Sequence, residues 1–403
     1  NVSGSTNLDD SLNYQSQIQQ GLQDAYQNRG NNSSLFANDK RAVEYYNAAY
    51  NGAKAAMAAY ATATQSKGAG TQDYTYYGNT ASKLNDDGST HTSTNTTDGT
   101  PQQYGSTDDV NQGGANNPTD ALNSSSKYEA TLNGNLNTAS NTSVKGNSTS
   151  NQISIPTSKT DTIVAARSSY QNDTNLGTAF DNAVNYVLSQ YGQQDAETGK
   201  WQGVYNASNK SATQDWYLTT NPNSDTTNAY DQAYRGARAA MGQYFDKNNN
   251  YLGNGSVKTS STNNTYYDQG FNDVVSQAAQ GIAYVQNGYQ FVSVLTGSTN
   301  TNGGGNVASG INTIRLANDT DLSGATNNEN NPSVYSNSST LTIDGQNHLM
   351  DYHGINYTIY SLKDLYVQNF QTLYGANFYG PYRAGNGSAI HFGSLNYVGP
   401  QLL

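Results

Sequence analysis

The sequence contains no cysteine, so a disulfide framework, a zinc–thiolate site and a thiol nucleophile are excluded. Charge is scarce as well. Only 12% of the 403 residues are Asp, Glu, Lys or Arg, and the formal balance is acidic at −11. Nucleic acid calls for clustered Lys and Arg to meet its phosphates, so that class of partner is excluded too. No run approaches 18 apolar residues, and no membrane insertion is expected of this segment. What fills the chain instead is amide, hydroxyl and glycine, with Tyr (33) outnumbering Phe (8) about fourfold. A core made of such material uses Tyr rings as filler while each hydroxyl finds a partner or reaches water. That chemistry suits an exported protein of a Gram-positive bacterium.

The most ordered pattern lies near the end. Apolar pairs recur at Ile314/Leu316, Leu341/Ile343, Leu365/Val367 and Ile390/Phe392, spaced by 27, 24 and 25 residues. Each pair alternates apolar with polar, the period of a strand with one buried face. A near-constant interval between such strands predicts stacked coils, as in a parallel β-solenoid, where a rung buries its inward side chains only against its neighbours. The ladder meets the C-terminus at Leu403 without a cap, so the chain reads as the front portion of a longer protein.

Ahead of the ladder the period is helical. Helices are predicted over about 8–28, 39–64, 178–192, 226–245 and 268–288, the first ended by Gly30 and the second capped by Asn38. In the second, Tyr46, Tyr50, Ala53, Met57 and Tyr60 form one stripe. The run Ala49–Met57 returns as Ala233–Met241 at an offset of 184, with Tyr46 and Tyr60 matched by Tyr230 and Tyr244. A helical hairpin used twice is therefore expected. Gly52 and Gly236 would let another helix approach closely, against a propensity loss of about 1 kcal/mol relative to Ala. Residues 289–295 look strand-like, and Gly303–Gly305 reads as a hinge. The fold expected is α+β and multidomain: a mainly helical, Tyr-rich domain over 1–300 with a polar insertion at 78–152, then the first rungs of a parallel β-helix (β-solenoid) over 306–403.

Catalysis on such a ladder would need two carboxylates converging on a glycosidic bond, or a calcium-binding carboxylate cluster with a base. The acidic residues of the tail recur at no fixed rung position, and Asp344-Gly345 reads as a turn. His348, His353 and His391 lack the spacing of metal ligands and read as turn or surface residues. The segment 246–251 resembles half a calcium loop, but Val257 stands where a bidentate Glu belongs, so a helix-terminating loop is preferred. No enzyme activity, metal or cofactor is expected. The candidate binding residues are aromatics and a cation in polar surroundings: Tyr379, Tyr382 and Arg383 in the tail, with Trp201 and Trp216 in the helical part. Aromatic faces stack on sugar C–H faces while Asn, Arg and Tyr supply directional hydrogen bonds. The bland alternative is that these aromatics plug irregular corners.

The run Leu341-Thr342-Ile343-Asp344-Gly345-Gln346-Asn347-His348, followed by the rung 362–370, resembles the opening coils of pectate-lyase-like adhesive domains in surface proteins of lactobacilli. With the Tyr-rich helices in front, the chain resembles the N-terminal part of the Lactobacillus epithelium adhesin group. The resemblance implies a right-handed β-solenoid in an extracellular protein, wall-anchored through segments absent from this chain; a monomer is expected. Its partners would be host epithelial or mucus glycans, glycoproteins or extracellular matrix, bound without catalysis. The alternatives are a structural cap and spacer for a solenoid stalk, or a cell-surface polysaccharide lyase or glycoside hydrolase.

Overall fold

The computed structural model describes residues 9–67, 163, 165–199, 204–205, 219–220, 229–246, 248–262, 265–297, 305–322, 333–336, 339–352, 358–375 and 381–398. The predicted insertion at 78–152 lies outside them, as do Gly303 and Gly304. The chain is mixed helix and strand with parallel sheet. It divides into two compact units, one drawing on Asn1–Thr71, Ile153–Gly192 and Gln202–Gln232, the other on Gln193–Trp201 and Ala233–Leu403.

In the first unit, α1 (Gln15–Tyr26) follows a single-turn 3-10 helix at Ser11–Tyr14, and α2 (Lys40–Lys67) packs between α1 and the first part of α3 (Thr174–Thr198). Gly21 of α1 lies against the backbone of Tyr46, and Gly52 of α2 against that of Phe180, so α2 is approached closely on two faces. This is why its buried residues do not follow the single Tyr stripe: of that stripe Tyr46 and Ala53 are buried while Tyr50, Met57 and Tyr60 are half-buried, and Ala42, Ala48, Ala55, Ala56 and Ala59 are buried instead. The Tyr46 hydroxyl donates to the buried Asp24 (2.8 Å). Burial opposes the Asp24 charge, but donors from Asn32, Tyr46 and Arg29 outweigh it and hold its carboxyl below the usual range. Tyr60 stacks on Tyr191 at 3.9 Å. Three predicted details differ. Asp39, not Asn38, caps α2, its Oδ1 accepting the N–H groups of Arg41 (3.0 Å) and Ala42 (3.1 Å). Asn28 (φ 56°), not Gly30, takes the left-handed position after α1, as Asn tolerates. Leu12, within the helix predicted over 8–28, sits in the preceding 3-10 turn and is exposed.

Arg41 ties the starts of these helices together, pairing with Asp10 (2.8 Å), Asp173 (2.6 Å) and Glu44 (3.2 Å). The same unit contains the short parallel pair β1 (Val204–Tyr205) and β2 (Thr219–Thr220).

In the second unit, α4 (Ala229–Gln243), from Ala233 onward, and α5 (Thr265–Ala279) repeat the close approach. Gly236 meets the Tyr267 backbone and Gly270 meets that of Ala233. The predicted helix over 268–288 stops early, because Gly281 (φ 91°) turns the chain into β3 (Ile282–Val285). The strand expected at 289–295 is instead helix α6 (Gly288–Thr296), started by the Asn287 side chain accepting from the Gln290 N–H and ended at Gly297 (φ 72°). A short apolar run does not distinguish strand from helix, and these two flanking residues decide.

The remaining strands are β4 (Thr313–Leu316), β5 (Thr320–Asp321), β6 (Ser333–Ser336), β7 (Leu341–Asp351), β8 (Thr358–Ser361), β9 (Leu365–Tyr374), β10 (Tyr382–Ala384), β11 (Ile390–Phe392) and β12 (Leu395–Val398). One parallel sheet runs β11-β9-β7-β4-β3, with β12 on β9 and β5 on β7, and a second runs β10-β8-β6. The sheet that contains the predicted ladder thus begins at Ile282, ahead of residue 306. Ile314 pairs with Ile343 rather than Leu341, so the first spacing is 29, followed by 24 to Val367 and 25 to Phe392. Ala283, Ile314, Ile343 and Val367 form one buried rank across four strands. Asp344-Gly345, predicted as a turn, bends within β7, where Gln346 and Asn347 have φ of 47° and 63°.

Candidate functional site

Of the sequence-predicted binding residues, Tyr382 and Arg383 are described, whereas Tyr379, Trp201 and Trp216 lie outside the described residues. Tyr382 is buried, its hydroxyl 3.2 Å from that of Tyr352, because its register opposite Ile359 points it inward. Burial pushes its phenol pKa up. It is a core plug and not an exposed stacking face. Arg383, the next residue along the strand, is exposed and lies over the Tyr360 ring at 5.7 Å.

A recess of about 230 Å³ runs between α1 and α3 in the first unit. Its floor is apolar, formed by Ile18, Leu22, Ala179 and Ala183, at helical spacing on each helix. Tyr186 walls one side, held at an edge by the Tyr26 ring 6.0 Å away. Gln15, Gln19, Thr178 and Asn182 stand exposed on the rim. Gln19, Asn182 and the Tyr186 hydroxyl make no hydrogen bond to other described residues, so their donors and acceptors face water or a ligand. Among the lining residues Asp9 alone carries a charge, and the Ser11 hydroxyl and N–H keep it ionised below the usual carboxylate range. The helix that carries one wall, α1, falls within the helix predicted over 8–28. Its partner on α3 lies some 160 positions on, and no local signal points to it.

The second unit holds a polar cluster at the end of α3. Its last carbonyls, left without helical donors, are each captured. Ala196 accepts from Arg238 Nη1 (3.1 Å), Glu197 from Gln346 Nε2 (2.7 Å) and Thr198 from His348. His348, predicted at a turn or the surface, is buried in this clamp with Asp319 at 3.0 Å from Nδ1. The Glu197 side chain accepts from Gln277 Nε2 (2.7 Å), whose own oxygen accepts from the Tyr284 hydroxyl (2.6 Å) and Arg315 (3.1 Å). Burial pushes the Glu197 pKa up to about 8, reinforced by the hydrogen bond to the Asp273 carboxyl and its charge, and opposed by Gln277 and Arg315. Two carboxyls in direct contact are closer than the roughly 5–9.5 Å that glycoside hydrolysis uses.

This pair makes stability depend on pH. With its folded pKa above the ordinary value, folded Glu197 keeps a proton that the unfolded chain has lost between about pH 4.5 and 8, so stability falls as pH rises across that window. Glu197→Gln, which cannot ionise, is expected to be near neutral at pH 4 and stabilising at pH 8. The gain is on the order of 2 kcal/mol after allowance for solvent screening at this partly exposed group. Equal unfolding midpoints for both proteins at pH 8 would contradict the assignment.

Around residue 246 the loop consumes its own oxygens. Asp246 accepts the N–H groups of Asn248 (2.8 Å) and Asn250 (2.9 Å). Among the described residues no group of three or more His, Asp or Glu is placed to hold a metal ion, and no helix is long and apolar enough to cross a membrane. No protein family, no curated protein and no solved structure matches the chain.

Proposed function

We propose that this chain is a region of a bacterial cell-surface adhesin, of the kind found in the Lactobacillus epithelium group, which attaches non-covalently to host epithelial or mucus glycans or glycoproteins. The observation that carries the reading is the α1–α3 recess. It offers unengaged amides and a phenol over an apolar floor, with one carboxyl at its edge. Such a surface can hold a ligand by packing and directional hydrogen bonds, and it offers no acid–base pair at that place. The Asn-, Thr- and Tyr-rich composition supports an extracellular setting.

In this reading the parallel strands are the first rungs of a right-handed β-solenoid. Support comes from the ranks Ile314–Ile343–Val367–Phe392 and Val334–Ile359–Tyr382, which belong to different sheets and alternate along the chain. A coil crossing each sheet once per turn produces that order. A stack also needs an end. Helix α6 packs on β3 and β6, the first strands of the two sheets, with Phe291, Val292, Val294 and Leu295 buried. Capping therefore falls to this nine-residue helix.

The test is attachment of the purified chain to cultured epithelial cells, with and without glycosidase treatment of the cells. Binding above a control protein and its reduction by glycosidase are expected, with weak single sites multiplied by copy number on a wall. A well-folded chain that attaches no better than the control overturns the proposal.

A further inference from the structure

We infer that the α1–α3 recess is a subsite for one or two rings of a neutral saccharide, one that discriminates against sialylated and sulfated glycans. The inference rests on the attachment reading above and names its ligand class. Three features lead to it. The apolar floor of Ile18 and Leu22, walled by Tyr186, matches the C–H face of a pyranose. Gln19, Asn182 and the Tyr186 hydroxyl lack partners among the described residues, and amides beside an apolar strip suit vicinal hydroxyls, which both donate and accept. Among the described residues no Lys, Arg or His lines the recess, and the one charge they place there is the Asp9 carboxylate. An anionic sugar would lose water without gaining a counter-charge and would meet repulsion from Asp9. The volume of about 230 Å³ lies below the roughly 300 Å³ at which drug-sized pockets begin, which limits occupancy to a terminal unit. A peptide is the weaker occupant, since the recess offers no deep apolar pocket for an anchor side chain.

The expected affinity is modest, with Kd on the order of 0.1–1 mM. The probes are a neutral galactose-terminated tetrasaccharide and the same tetrasaccharide capped with sialic acid, titrated into the full chain by calorimetry or ligand-observed NMR. The neutral probe is expected to bind at least about tenfold tighter than the capped one. Asn182→Ala should weaken it about tenfold, and Thr178→Trp, a change at an exposed rim position, should abolish binding with the thermal melt unchanged. Equal or tighter binding of the sialylated probe, no binding of the neutral one, or indifference to both substitutions overturns the subsite. Cell attachment separates the two proposals. If Thr178→Trp leaves glycosidase-sensitive attachment intact, the subsite falls and the adhesin reading stands. If the neutral probe binds but the chain does not attach to cells, the reverse holds. Loss of Thr178→Trp-sensitive attachment on protease but not glycosidase treatment would assign the recess to a peptide and overturn the saccharide.

Discussion

Arg238→Met is expected to destabilise the protein by about 3–4 kcal/mol, a large share of the stability of an ordinary domain. The guanidinium is fully buried and donates from Nη1 to the carbonyls of Ala196 (3.1 Å) and Ala317 (3.2 Å) and from Nη2 to Asn318 Oδ1 (2.9 Å). Met fills similar space but donates nothing, so the Ala317 carbonyl and Asn318 Oδ1 would lose their Arg238 donor in a buried site at about 1–3 kcal/mol each, while the Ala196 carbonyl would keep the Gly199 N–H (3.2 Å). Part of that loss is offset because a buried cation no longer has to be desolvated. Arg238→Lys, able to reach fewer acceptors, should lie between the two. The comparison with Lys54 isolates the cause. Lys54 occupies the matching position at the 184-residue offset and makes only surface contacts, an exposed hydrogen bond to Asn28 Oδ1 (3.1 Å) and a distant approach to the Tyr50 ring (6.0 Å), so Lys54→Met should cost less than about 1 kcal/mol. Urea midpoints at unchanged slope measure all three. An Arg238→Met midpoint close to wild type would show that the clamp contributes little.

The second large effect has the opposite sign from its local expectation. Helix propensity favours Gly236→Ala by about 1 kcal/mol. The structure reverses this, because a Cβ at Gly236 would lie 2.8 Å from the carbonyl carbon of Tyr267 and closer still to its oxygen. That neighbour is helix backbone, which cannot rotate away, so α4 and α5 would have to separate. A net loss of about 3 kcal/mol is expected. Gly52→Ala should behave alike, since its Cβ would lie 3.1 Å from the Phe180 carbonyl carbon. Gly255, with nothing within 4 Å, is the control: its change to Ala should move stability by less than about 0.5 kcal/mol. Parity between Gly236→Ala and Gly255→Ala in thermal or urea unfolding would remove the close approach as a stabilising feature.

Much of the architecture is legible in local periods. The period-two pairs beginning at Ile314, Leu341, Leu365 and Ile390 are strands, all pairing in parallel, and the segments predicted helical over 39–64 and 178–192 lie in helices α2 and α3. Such periods are visible because burying one face of a helix or strand constrains every third or fourth, or every second, residue. What covers a face is not local. Tyr382 and Arg383 are neighbours in sequence, yet one is buried against Tyr352 and the other is exposed, because a strand sends successive side chains to opposite faces. The same limit explains His348, whose clamp on Thr198 joins positions 150 apart.

The repeated helix shows the division most directly. The sequence by itself determined that Ala49–Met57 and Ala233–Met241 would be helices carrying a glycine for close packing, because composition and period suffice for that. The parallels extend further than the matched run. Asn28 and Gly199 both take positive φ after α1 and α3, and Lys54 and Arg238 both reach toward those helix ends. Only the tertiary structure decided that one cation stays in water while the other is sealed among three acceptors. It alone also brought Asn182 and Tyr186 beside Gln19 to form the recess. The physical reason is shared: burial and hydrogen-bond partnership belong to pairs of distant surfaces, and no window of consecutive residues contains both members.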